Sequence, residues 1–143
     1  MSNRKRILVI DDNRTLMLAA ERILEKQEYE VYTASNGTEG LKKVKEIKPD
    51  VIILDIVMPG LNGYQVGRIL KEDVDTTDIP IIFLSAKGNS HENKDGVAVG
   101  LREINLAFEC GANDFLQKPV ASDDLVRAVK NILWFSEISS FQS

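Results

Sequence analysis

Val51-Ile52-Ile53-Leu54-Asp55 is the stretch that decides the fold. Four apolar residues in a row, without polar alternation, describe a strand buried on both faces. Ile7-Leu8-Val9-Ile10 carries the same signal upstream, and Ile81-Ile82-Phe83-Leu84 carries it downstream. The last run is entered through Pro80, a residue tolerated where a strand begins. Weaker strands are expected at Glu30–Ala34 and Asp114–Gln117.

Amphipathic stretches fill the intervals. Leu16, Ala19, Ala20, Ile23 and Leu24 follow helical spacing, with Glu21, Arg22, Glu25 and Lys26 on the other side. Leu41, Val44 and Ile47 make a second stripe that ends before Pro49, and Val66, Ile69, Leu70 and Val74 a third. Leu101, Ile104, Ala107 and Phe108 make a fourth, closed by Gly111 just beyond the helix end. Leu125, Val129, Ile132 and Leu133 make the last, with Ser122 as N-cap and Asp123 and Asp124 at the positive helix end. Strand and helix thus alternate five times, the pattern of a mostly parallel α/β sheet with helices on both faces and right-handed crossovers.

The remaining arithmetic narrows the chemistry. The 143 residues, 43% hydrophobic and 28% charged, suit one globular domain rather than two. A net charge of −4 gives no general attraction to nucleic acid or to an anionic membrane. One cysteine, Cys110, and one histidine, His91, exclude an internal disulfide and a zinc site built from Cys and His alone. No apolar run approaches the 7 to 15 residues or so of a secretory core, or the roughly 20 of a membrane span. A cytoplasmic location is the expectation.

In an open parallel sheet, ligands sit beyond the carboxyl ends of the strands. Asp11 and Asp12 follow the first strand, Asp55 the third, Ser85 the fourth, and Lys118 with Pro119 the fifth. The fold rule therefore brings five dispersed residues to one edge. Three carboxylates raise one another's pKa unless a cation sits among them. Oxygen ligands with room for water suit Mg²⁺ or Mn²⁺. An aspartate can act as nucleophile toward phosphorus, with Ser85 and Lys118 meeting the phosphoryl oxygens. Metal, oxygen nucleophile and cation together are equipment for phosphoryl transfer. Each part alone has a plainer reading: Asp12 or Asn13 as a helix cap, Asp55 as a turn residue before Met58-Pro59-Gly60, Ser85 and Lys118 as loop residues.

From about Arg6 to Phe135 the chain resembles the receiver domains of two-component response regulators. The resemblance rests on Ile7-Leu-Val-Ile-Asp11-Asp12-Asn13, Pro49-Asp-Val-Ile-Ile-Leu-Asp55-Ile-Val-Met-Pro59-Gly60-Leu-Asn-Gly63, Ile82-Phe-Leu-Ser85-Ala86 and Gly111-Ala-Asn-Asp-Phe115-Leu-Gln-Lys118-Pro119. It implies a flavodoxin-like sheet with strand order 2-1-3-4-5. Asp55 is implied as phosphoacceptor from a histidine kinase or histidine phosphotransfer protein. Asp11, Asp12, Asp55 and the backbone carbonyl of Val57 are implied as the Mg²⁺ ligands. Ser85 takes the switch hydroxyl position, and Phe115 the switch aromatic position without the hydroxyl that tyrosine brings there. The Lys118–Pro119 peptide is expected to be cis. Phosphorylation then moves Ser85 and Phe115 and reshapes the surface of the fourth helix, fifth strand and fifth helix. Such a domain catalyses only its own phosphorylation and dephosphorylation.

The resemblance also sets a domain plan. One domain occupies 1–143, with its core at about 6–136 and a short tail at 137–143. An extended connection lies at about 87–100, longer than the family norm, and holds His91 and Lys87. With no room for an output module, the effector is expected in trans. Trp134, Phe135, Ile138 and Phe141 suggest an extended last helix packed on its own domain, or contact with a second copy or a partner. Cys110 reads as a small buried hydrophobe.

Three rival readings fit these residues less well. A nucleotide or flavin site needs a glycine- or hydroxyl-rich loop after the first strand, where Asp11-Asp12-Asn13 stands. An aspartate-nucleophile phosphohydrolase expects a second Asp two after the nucleophile, where Val57 stands. A receiver-like interaction module independent of phosphorylation typically lacks one of the acids or the lysine, and all are present.

Overall fold

The computed structural model, which describes residues 4–85 and 105–142, alternates strand and helix as the pattern requires. In chain order come β1 (Arg6–Ile10), α1 (Arg14–Glu25), β2 (Glu30–Ala34), α2 (Gly37–Ile47), β3 (Val51–Asp55), α3 (Gly63–Glu72) and β4 (Ile81–Ser85). A helical segment over residues 105–109 (α4), β5 (Asp114–Gln117) and α5 (Ser122–Gln142) complete it. The strands form one parallel sheet ordered β2-β1-β3-β4-β5. The strand order reverses at β1 and β3, so their carboxyl ends face the crevice where such sheets bind ligands.

The doubly buried runs explain the layering. Leu8, Ile10, Ile52, Leu54, Ile81 and Phe83 point to one face and pack with Val44, Val66 and Ala107. Ile7, Val9, Val51, Ile53, Ile82 and Leu84 point to the other and pack with Met17, Leu24 and Val129. Adjacent residues of one strand thus feed two cores, which is why no polar alternation is visible. No helix among the described residues is long and apolar enough to cross a membrane.

The helix faces need several corrections. In α1, Met17 and Leu24 enter the core, whereas Leu16 is 40% exposed. The helix is rotated so that the pair seven residues apart meets the sheet, while Leu16 and Ala19 line an apolar groove beside Pro119 and Val120. In α3 the inward stripe is Gly63, Val66, Gly67 and Leu70. Ile69 faces solvent, and Val74, beyond the helix end, is 85% exposed. In α4, Ala107 is buried and Phe108 exposed. Ser122 is the first residue of α5, and the carbonyl of Ala121 accepts from Leu125 N–H, so the N-cap position belongs to Ala121. That helix also runs through 137–142, the stretch expected to be a tail. The helix packs on its own domain through Ile132 and Leu133, while Trp134 and Phe135 are mostly exposed and touch each other edge to face. The expected long connection at 87–100, with Lys87 and His91, and the apolar positions 101 and 104 lie outside the described residues.

Two helix ends show opposite solutions to one problem. After α4, Gly111 takes φ +97°; its N–H reaches Phe108 O at 3.0 Å, and Ala112 N–H reaches Ala107 O at 3.0 Å. This Schellman arrangement needs the left-handed conformation that glycine adopts without strain. After α2, Lys48 takes the same region at φ 55° while its N–H caps Val44 O. Lys48→Gly is expected to stabilise the fold by about 0.5–1 kcal/mol, by relieving that conformation. Urea denaturation checks it; a lower midpoint for the variant contradicts it.

Candidate functional site

β1 hands the chain to Asp11, whose N–H still pairs with Ala34 O at 3.1 Å. Asp11 is 1% exposed. Asp11 Oδ1 accepts from Asn13 N–H at 2.9 Å, and Oδ2 accepts from Lys118 Nζ at 3.0 Å. Asn13 caps α1 through Leu16 N–H, leaving the exposed Asp12 carboxylate free of that duty. Asp55 and Ser85 are the last residues of β3 and β4, one position earlier relative to the strands than expected. Both are buried. Lys118 follows β5, its N–H donating to Ser85 O at 2.8 Å, and its peptide bond to Pro119 is cis.

The side chains of Asp11, Asp12, Asp55 and Lys118 converge. Carboxylate oxygens of the three aspartates lie within 4.8 Å of one another. Lys118 Nζ stands 3.3 Å from Asp55 Oδ1, in ion-pair range but out of hydrogen-bonding alignment. Asp55 Oδ1 is therefore a buried acceptor without a hydrogen bond among the described residues. Burial pushes the Asp55 carboxyl up to about 7, the Asp11 charge adds to the rise, and Lys118 opposes it. One ammonium cannot offset three carboxylates. An oxygen-only, partly buried cluster with an oxygen that lacks a hydrogen bond fits a hard divalent cation, and Asp11, Asp12 and Asp55 are the side chains able to hold one. Val57 is 65% exposed beside the cluster, and Phe115 packs half-buried against the core opposite Phe83.

One structural contributor had no assigned role in the sequence reading. A Cβ on Gly63 would stand 2.4 Å from Asp55 O, so only glycine lets α3 begin against the end of β3. Gly63 N–H donates to Ile56 O at 2.8 Å, and the Asn62–Gln65 capping box starts the helix there. The Asn62-Gly63 pair at a helix start was its visible signal.

The response regulator receiver domain model matches residues 7–130. The chain belongs to that family. Protein PilH of Pseudomonas aeruginosa is 38% identical over 128 residues, 90% of this chain and 97% of PilH. The alkaline phosphatase synthesis transcriptional regulatory protein PhoP of Bacillus subtilis is 38% identical over 136 residues, 95% of this chain. Against PhoP the receiver spans about half the relative's length, at 51%. Among solved structures, a response regulator receiver domain protein from Clostridium thermocellum superposes with TM-score 0.79 at 34% identity, over 94% of this chain and 98% of that one. A CheY-like receiver domain protein from Methanospirillum hungatei reaches TM-score 0.82 at 24% identity, covering 96% and 99%, and supports the fold alone. As a receiver domain of two-component response regulators, the chain is a signalling module rather than a conventional enzyme.

Proposed function

We propose that Asp55 is the phosphoacceptor of this receiver and that Asp11, Asp12 and Asp55, with the Val57 carbonyl, hold Mg²⁺, or Mn²⁺ in its place. The observation that carries the reading is the buried Asp55 Oδ1, without a hydrogen bond among the described residues, between the other acids and Lys118. The donor is a phosphohistidine on a kinase or phosphotransfer protein. A carboxylate oxygen of Asp55 attacks phosphorus, a P–O bond forms, and the P–N bond breaks with its electron pair returning to the imidazole. Lys118 places its ammonium at the phosphoryl oxygens, and the Ser85 hydroxyl donates to one of them. Bound Mg²⁺ supplies neutralisation of the charge on the attacking and transferring oxygens.

The same residues account for the switch. Asp55 gains a dianionic group with three acceptor oxygens. Ser85 follows it, and Phe115, already half inside the core, fills the space released. The surface of α4, β5 and α5 changes shape and meets an effector in the cytoplasm. The domain's catalysis is limited to its own phosphorylation and dephosphorylation. Incubation with Mg²⁺ and acetyl phosphate is expected to add one phosphoryl group by intact mass, and chelation by EDTA to prevent it. No mass gain under those conditions removes the assignment.

A further inference from the structure

β5 is a four-residue, half-buried edge strand, paired on one side only. Its apolar pattern does not specify its register. Phe115 packs toward one core and Leu116 toward the other. A slip of one residue would exchange them and still leave one apolar side chain on each face. Lys118 would not survive that exchange. It stands one residue beyond the strand, so a slip would shift it by about 3.3 Å and turn its side chain to the opposite face.

The observed register pairs Ile82 with Asp114, Phe83 with Phe115 and Ser85 with Gln117. Asn113, at the entry to the strand, extends it by one step. Its N–H donates to Ile81 O at 2.8 Å, and its Oδ1 accepts from Ile81 N–H at 3.0 Å. One residue therefore holds both backbone polar groups of Ile81, on the strand that carries Ser85. The chain reaches Asn113 from the Schellman turn at Gly111, whose missing side chain leaves room for the stem of Lys71. The entry point is fixed from both sides.

We propose that Asn113 is a positioning residue for phosphoryl transfer: by bracketing Ile81 it holds β5 in the one register that carries Lys118 to the acceptor carboxylate. This rests on the receiver-site reading above. It works from the end of the sheet opposite the chemistry, without touching the reacting atoms. The acids able to hold the metal are placed by β1 and β3; displacing Lys118 takes an ammonium away from Asp11 and Asp55 and leaves their carboxylates in place, so it does not weaken cation binding. Loss of the bracket therefore separates two quantities that a general loss of structure would lower together.

The test is the rate of phosphoryl uptake from acetyl phosphate at saturating Mg²⁺, followed by intact mass, beside Mg²⁺ affinity by calorimetry. Asn113→Ala is expected to slow uptake about 10- to 100-fold, the scale of an ångström-sized misplacement, while Mg²⁺ binding is not weakened. Asn113→Asp keeps the acceptor for Ile81 N–H and is expected to restore the rate. Val44→Ala, a core truncation in α2, is expected to lower stability without slowing uptake. If Asn113→Ala does not fold, Asn113→Ser, too short to reach Ile81 N–H, carries the same expectation. Wild-type rate in Asn113→Ala, no recovery in Asn113→Asp, or equal slowing in Val44→Ala overturns the inference alone. A wild-type protein that takes up no phosphoryl group overturns the acceptor assignment, and this inference with it.

Discussion

Asp55→Asn is expected to take up no phosphoryl group and to be more stable than the wild type when metal is absent. The first effect follows from losing the nucleophilic oxygen anion, which an amide does not replace. The second follows from burial. Asp55 is 3% exposed, and its carboxyl is raised to about 7 by desolvation first and by Asp11 second. Between the ordinary carboxylate value and about 7, the folded protein keeps a proton that the unfolded chain has released. Unfolding then liberates a proton, so metal-free stability falls as pH rises through that window and levels off above it. The expected loss across the whole window is on the order of 4 kcal/mol for the wild type, with a much flatter profile for the variant. Mg²⁺ favours the ionised carboxylate and should flatten the wild-type profile as well. Denaturant melts in EDTA across pH 5 to 8 or so check the sign. A wild type that gains stability toward high pH, or a variant that still accepts the phosphoryl group, contradicts the account.

Gly63→Ala is expected to have the largest effect of any methyl addition near the site. The new Cβ would meet Asp55 O at 2.4 Å and Ile56 Cα at 2.7 Å, both backbone atoms that cannot rotate away. Helix α3 must lift from the end of β3, which also stretches the 2.8 Å bond from Gly63 N–H to Ile56 O. Overpacking of this kind costs about 2–3 kcal/mol. The displaced backbone is that of Asp55, the proposed acceptor, so phosphoryl uptake should slow even in the fraction that remains folded. Gly60 is the informative comparison: it has φ +76° but open space around a Cβ, so alanine there carries backbone strain alone. Thermal melts of the two variants separate them, and a Gly63→Ala protein as stable as wild type defeats the steric argument.

The limits of reading this chain are physical. The strands at Glu30–Ala34 and Asp114–Gln117 were legible to the residue, and so was the edge where Asp11, Asp12, Asp55 and Lys118 meet. Both rest on local composition and on a topological rule that needs no side-chain detail. Helix rotation was not legible. Leu16 and Met17 are comparable hydrophobes, and only docking on the sheet decides which enters the core. Val74 fits a helical stripe but follows the turn that ends α3. The bracket at Asn113 joins atoms 32 positions apart, so no local pattern announces it; at Gly63 the Asn62-Gly63 pair marks a helix start but not how closely that start approaches the end of β3.

The bond from Lys118 to Asp11 spans 107 positions of sequence. The acids come from the first half of the chain and the lysine from its last third, just beyond the strand that docks at the sheet's edge. During synthesis, the acidic cluster leaves the ribosome well before its counter-cation does. A partly made chain, or one whose last strand has come away, has the three carboxylates but not the ammonium that faces them. The site's charge balance is thus a property of the completed fold, reached only when the last strand has docked.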